Sequence, residues 1–381
     1  MPKSDRGEVD IIRSRRALDA LGSEWDMLAS TRELPMLTHA WVLSCAEALY
    51  GEDELCVITV REHGVLTGVA PLVARRSAGL THLEVIGSSF LGEPSDLLYR
   101  TDESLAMLVR AIRGVGRPVV LARIPSQSPV IARFRSDRGL VLVTQVTGTV
   151  GLPISLEWNA YLTRQPSRLR YDLKRAQRRA EEVGTRTVRT YSPRPDEVED
   201  MFAELVRVEA TGWKARNGSS LSQRQHMRQF FLRYATLAAT SGVLRFSFLD
   251  VNAKAVAAQL SVEYADRLWV LKIGYDEAWS RVSPGWQLMA ETVRYAFERK
   301  LKSFEFLGSD EPWLHRWETE ARELSTLAAY PATIPGMYGL ATDTAARVRD
   351  KVRSIIHDAT VARSDARPDS THHSASTGAE G

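Results

Sequence analysis

The stretch Arg281-Val-Ser-Pro-Gly-Trp-Gln-Leu-Met289 follows closely on a strand-like run, Leu268-Trp-Val-Leu-Lys-Ile-Gly-Tyr275. Ser is a good helix N-cap and Pro a good first helical residue. Gly at the next position adds nothing to helix stability, but it lets another molecule approach the backbone. A helix beginning at Pro284 exposes N–H groups without partners inside the helix, and the dipole there favours an anion. Strand, turn and helix start together read as a pyrophosphate cradle. The amides of Gly285 and Trp286 are the expected donors. Ser283 competes for one of them if it caps, and Arg281 adds a cation. The same residues also satisfy a plain capped helix start that needs no ligand.

Few other residue types in this region can do chemistry. Glu305 alternates with Phe304 and Phe306 in a short strand-like run, so it faces away from them. A carboxylate there is costly to bury unless paired or functional, and the alternative is an edge strand with Glu305 in water. Asp276 ends the preceding strand on the same parity as Lys272. Four strand residues separate the two by ~13 Å, so they cannot pair directly. Asp276 also reads as an ordinary turn residue. Lys272, inside an apolar strand, either snorkels at an edge or binds an anion. Trp213 and Lys214 lie between two expected helices, either as a core Trp beside a surface Lys or as a substrate wall with a cation. Tyr275, near a strand end, is an acid or a packing residue, and His315 reads as structural. No Ser/His/Asp set, metal-ligand spacing or Walker loop is found, so no metal is expected.

The elements that must position these residues follow from periodicity. Helices are expected over Ala17–Ser30 and Thr38–Tyr50, then strands over Leu55–Arg61 and Leu66–Ala74 around Glu62-His-Gly64. A strand at His82–Ile86, a helix at Leu105–Ile112 and a strand at Pro118–Ile124 follow. The order then repeats. Glu197–Ala210 and Arg224–Ala239 are helical. Leu244–Asp250 and Ala255–Tyr264 form a hairpin, and Arg267–Asp276 a strand. Pro284–Lys300 is a helix and Ser303–Leu307 a strand. The repetition predicts two similar α/β domains, each a mixed sheet flanked by helices, at 1–153 and 185–340. A connector helix falls at 154–184, a C-terminal helix at 341–362 through Val348, Val352, Ile355 and Ile356, and a disordered tail at 363–381.

Seven basic residues fall on the connector within Arg164–Arg179, with Leu169, Leu173, Ala176, Ala180 and Val183 forming one narrow apolar stripe. A solvated face is one reading; binding of phosphate, an acidic lipid-linked sugar or RNA is another. The totals set limits. The 381 residues are 44% apolar with nine Trp, enough for real cores, and the net charge of +3 points to no particular partner. The cysteines Cys45 and Cys56 make no metal or disulfide pattern. No apolar run approaches the ~20 residues of a membrane span, and no leader is apparent, so the expected location is cytoplasmic.

These pieces together resemble the GNAT superfamily of acyl-CoA-dependent N-acyltransferases, and more closely its CelD-like branch, associated with cellulose and exopolysaccharide genes. The resemblance rests on the Arg-rich helix Pro166–Arg179, on Glu209-Ala-Thr-Gly-Trp-Lys214, on Gly274-Tyr-Asp276 before Ser283-Pro-Gly285, and on Phe304-Glu-Phe-Leu-Gly308. It covers the whole chain, with the first domain as a degenerate GNAT unit. The usual pyrophosphate loop, Gln/Arg-x-x-Gly-x-Gly/Ala, is altered here: Ser283 stands for its first Gly and Ser280 for the Gln/Arg. Use of acetyl-CoA or another acyl-CoA is therefore implied by the family. The resemblance implies acyl transfer to an amine of a small molecule or sugar. Glu305 or Asp276 would then act as base and Tyr275 as the acid for the thiolate, with Trp213, Lys214 and Lys272 at the substrate. The Fem peptidyltransferases also join two GNAT-like domains and use aminoacyl-tRNA, which the basic helix Arg168–Arg179 would hold. Their long coiled-coil arm is missing here, which ranks that reading second. A non-catalytic scaffold of the same fold is a third. Oligomeric state and acceptor identity are not specified by the sequence.

Overall fold

The computed structural model describes residues 7–77, 79–137, 139–212, 218, 220–308, 311 and 313–345. Trp213, Lys214, the expected C-terminal helix around Val348–Ile356 and the tail from 363 lie outside the described residues.

The first half opens with β1 (Glu8–Ile12), α1 (Arg15–Asp19), α2 (Gly22–Ala29) and α3 (His39–Ala48). The single helix expected over Ala17–Ser30 is therefore two short ones, and α3 is capped by Thr38, whose hydroxyl accepts from Trp41 N–H. The hairpin β2 (Val57–Glu62) and β3 (Val65–Ala70) turns at His63 and Gly64, both with positive φ. The strand expected to run on to Ala74 is broken at Pro71, which has no N–H for a ladder. Past it, β4 (Leu72–Ser77) joins a different sheet. Then come β5 (Leu80–Val85), α4 (Ser88–Leu91), β6 (Leu98–Tyr99), α5 (Asp102–Gly114), β7 (Val119–Pro125), α6 (Pro129–Ser136) and β8 (Leu140–Pro153).

The connector forms α7 (Trp158–Arg164) and α8 (Ser167–Val183). Leu169, Leu173, Ala176 and Ala180 of α8 are buried as expected, while Val183 is exposed. The second half follows as β9 (Arg186–Tyr191), α9 (Val198–Ala210), α10 (Gln225–Thr240), β10 (Leu244–Val251), β11 (Lys254–Tyr264), β12 (Arg267–Tyr275), α11 (Pro284–Glu298), β13 (Ser303–Glu305) and β14 (Glu320–Tyr330). The β10–β11 turn places Asn252 and Ala253 at positive φ, as a tight hairpin requires.

Strands β1-β2-β3-β6 make a four-stranded sheet. The other ten form one sheet in the order β4-β5-β7-β14-β8-β13-β12-β11-β10-β9. Strand β14 follows β13 in sequence but lies between β7 and β8, and Leu327 and Ala329 are buried in the first half's core. Strand β8 pairs with β14 and, at Gly151–Pro153, with β13. The division expected between 1–153 and 185–340 is thus crossed by backbone pairing. The cores are joined as well: Trp41 of α3 packs edge-on against Phe230 and Tyr234 of α10, with ring centroids 5.0 and 4.9 Å apart.

Candidate functional site

Strands β12 and β13 pair in parallel over three residues, Arg267–Trp269 with Ser303–Glu305. Pairing stops there, although β12 runs on to Tyr275 beside β11. On the other side, Leu307 and Gly308 take positive φ and carry the chain away. A cleft of about 890 Å³ opens at this splay, lined by β12, the start of α11, α8 and the chain around Phe306.

Helix α11 begins as the sequence predicts, with Pro284 at its first position. Its first helical bond runs from Gln287 N–H to Ser283 C=O (3.1 Å), which leaves the amides of Gly285 and Trp286 ahead of the ladder. Ser283 does not cap: it is left-handed (φ 51°, ψ 55°), its side chain makes no cap bond, and it is exposed at the cleft. Gln287 fixes this start instead. Its side-chain amide donates to Val282 C=O (2.7 Å) and to Ala176 C=O of α8 (3.1 Å), and its carbonyl accepts from Arg186 Nε (2.7 Å). Trp286 lines the cleft against Trp317, under the Arg316 guanidinium. Its Nε1 is out of solvent with no hydrogen-bond partner. The two amides ahead of the ladder at a helix N-terminus fit an anion such as a diphosphate.

Gly285 has a second cause that the sequence concealed. A Cβ there would lie 2.9 Å from Cδ1 of Tyr275, whose ring rests on the helix start. Tyr275 thus lines the cleft beside the donors. Lys272 lines it too, with Nζ 4.7 Å from the Phe231 ring centroid. From α8, the exposed Arg175 and Arg179 reach the cleft, whereas Arg170 donates to Leu162, Thr163 and Gln165 C=O and so locks α7 to α8.

Several expected residues stand elsewhere. Arg281 is exposed and outside the cleft wall, and Pro284 is buried in the helix start. Asp276 is 5% exposed and caps the turn Glu277–Val282 by accepting from Ala278 N–H, with Lys254 Nζ 3.9 Å away. Glu305 faces a separate cavity of about 540 Å³. There it accepts from Ser303 Oγ (2.6 Å) and pairs with Arg267 (3.3 Å) and Arg322 (3.2 Å). Gly151 of β8 carries no side chain because this carboxylate packs on it. The alternation that singled out Glu305 turns it away from the cleft that Phe306 lines: the residue expected as a base is buried, beside two Arg and in another cavity.

Among the described residues, four carboxylates of the cleft were not assigned by sequence reasoning: Asp172, Glu311, Glu209 and Glu93. Glu209 of α9, part of the quoted Glu209-Ala-Thr-Gly motif, is buried and accepts from Leu221 N–H (2.8 Å). Glu93 comes from the first half, in Leu91-Gly-Glu-Pro-Ser95. Its Oε2 is out of solvent with no hydrogen-bond partner, and burial pushes the carboxyl up to about 7, opposed by the charges of Lys272 and Arg123. No local spacing marks it, since it reaches the site from the far side of the fold. Among the described residues, no group of three or more His, Cys, Asp or Glu side chains gathers as metal ligands would, and no helix is long and apolar enough to cross a membrane.

Residues 167–314 match the family model of an acetyltransferase (GNAT) domain. The match holds α8, the splayed strands and α11, so this part of the mixed α/β fold is similar to a GNAT acetyltransferase domain. Solved structures agree in fold. FemX superposes with a TM-score of 0.57 at 12% identity, covering 84% of this chain and 96% of that one. The C-terminal DUF2156 domain of a lysylphosphatidylglycerol synthetase candidate from Agrobacterium fabrum gives 0.54 at 12%, covering 85% and 95%. A conserved protein of unknown function from Bacteroides thetaiotaomicron gives 0.52 at 11%, covering 84% and 99%. No curated protein sequence matches the chain.

Proposed function

We propose that the protein is an acyl-CoA-dependent N-acyltransferase, acetyl-CoA being the simplest donor. The acyl group passes to an amine of a small molecule or sugar by direct attack in a ternary complex. The observation that carries this is the β12–β13 splay closed at one end by the open start of α11. The donor's diphosphate would lie on the amides of Gly285 and Trp286, with Arg175 and Arg179 supplying cations at the mouth. Its thioester would lie along β12, where the Tyr275 hydroxyl protonates the leaving thiolate. Lys272 and the chain around Trp213 and Lys214 belong to the substrate side. A CelD-like role in exopolysaccharide synthesis in the cytoplasm is part of the same reading.

A second reading is a Fem-like transferase drawing on aminoacyl-tRNA. The likeness in fold to FemX and the exposed basic face of α8 favour it. Thermal shift separates the two. Acetyl-CoA raises the melting temperature by mass action if the donor site exists, and the Arg175→Ala/Arg179→Ala variant shifts less. Stabilisation by bulk tRNA that vanishes at raised salt, without one by acetyl-CoA, would replace the first reading by the second. Silence to both would leave a scaffold.

A further inference from the structure

We propose that Glu93, supplied by the first half of the chain, is the general base that takes the proton from a cationic primary amine, so that both halves build one active site. This rests on the acyl-transfer reading and names Glu93 as the base in place of Glu305, which lines another cavity.

The carboxylates at hand sort by their partners. Glu305 is held by two Arg in another cavity, Asp276 caps a turn, Glu209 accepts from a backbone amide, Asp172 faces Arg316 at 3.9 Å, and Glu311 accepts from Trp313 Nε1 (2.6 Å). Glu93 is among the residues lining the cleft that holds Lys272 and Tyr275, and its Oε2 is out of solvent without a hydrogen-bond partner. A group so placed is costly to keep unless it is used.

Its loop is built to hold it there. Ser95 donates through N–H to Arg123 C=O (3.1 Å) and through Oγ to Ala122 C=O (2.8 Å). Ser128 Oγ donates to Asp96 (2.9 Å). Arg123 itself takes φ 54°, a left-handed kink in β7 to which the loop is bonded. Pro94 restricts the backbone of Glu93 to the extended region.

The charges acting on Glu93 are Lys272 from β12 and Arg123 from β7. Glu209 from α9 lines the same cleft, and Asp172, Arg175 and Arg179 of α8 with Glu311 and Arg316 line the rest. Burial outweighs the two cations and leaves the carboxyl titrating at about 7, where a base is most effective.

The step balances. The Glu93 carboxylate takes one proton from the ammonium. The neutral nitrogen attacks the thioester carbonyl carbon, and the C–S bond breaks with its electron pair on sulfur. The nitrogen loses its second proton, the thiolate gains one, and Glu93 returns its proton to water.

The test uses the full chain, Glu93→Gln and Glu93→Asp. It measures acetyl-CoA binding by titration and thiol release against pH with a set of primary amines, glucosamine and L-lysine among them. The expected result is unchanged acetyl-CoA affinity, thiol release reduced about a hundredfold or more in Glu93→Gln, and partial rescue with a shifted acid limb in Glu93→Asp. Equal acetyl-CoA binding with matching rates and acid limbs in wild type and Glu93→Gln would overturn the role of Glu93 alone. Wild type that binds acetyl-CoA but acylates no amine also counts against it. Failure of wild type to bind acetyl-CoA would overturn the donor reading, and this one with it.

Discussion

Glu305 and Asp276 are buried carboxylates and Glu93 is half-buried with one oxygen out of solvent, and their partners set them apart. Glu305→Gln leaves the Arg267 and Arg322 charges facing a neutral amide, a loss of about 2–4 kcal/mol by chemical denaturation. The acid limb of the rate profile should not move. Glu93→Gln has the opposite sign. Glu93 titrates at about 7 rather than 4.5, and Asp96, also raised by burial, at about 6 rather than 3.8. Both bind protons more tightly in the folded chain, so the stability they contribute is full below their ordinary values and is lost as pH rises through 6 to 7. Removing the charge at 93 should therefore stabilise the protein at pH 8, by roughly 1–3 kcal/mol more than at pH 5. Denaturant titrations at the two pH values check this, and a constant difference would contradict it. Sequence reasoning found Glu305 through strand parity but could not see the two Arg it meets, one from β12 and one from β14. It passed over Glu93 because nothing local distinguishes a Glu before a Pro in a loop.

At the scale of elements, α11 and the hairpins were legible, because caps, positive-φ turns and periodicity are local. The splay of β12 from β13 was not, since it depends on where pairing stops. The role of α8 was half legible: its apolar stripe was read correctly down to Ala180, but which basic residues face the cleft depends on its angle to α11. Gln287 ties the two helices together, and Gln287→Ala should cost about 2–4 kcal/mol by leaving buried carbonyls of Val282 and Ala176 short of a donor. Acetyl-CoA affinity should fall with it. In contrast, Arg175→Ala/Arg179→Ala should leave the melting temperature of the free protein unchanged, because both side chains are exposed. It should weaken acetyl-CoA binding several-fold at low salt and less at high salt. Calorimetric titration at two ionic strengths reads both effects.

The molecule as a whole is less divisible than its repeated element order implies. The order of helices, hairpin, strand and helix did recur in both halves, but β8 and β14 were not foreseen. Their partners lie far off in sequence, and β14 returns from beyond β13 to complete the first half's sheet. With α3 packed on α10 and one ten-stranded sheet running through both halves, unfolding should be a single cooperative calorimetric transition. A chain ending before β14 should fail to fold, and two separable transitions would contradict the shared sheet. The same union lets a loop of one half meet the donor site of the other. That site is tested most directly by the structure of the protein crystallised with acetyl-CoA. The account predicts the diphosphate on the amides of Gly285 and Trp286, with the thioester between β12 and Glu93. A coenzyme bound away from the start of α11 would contradict it.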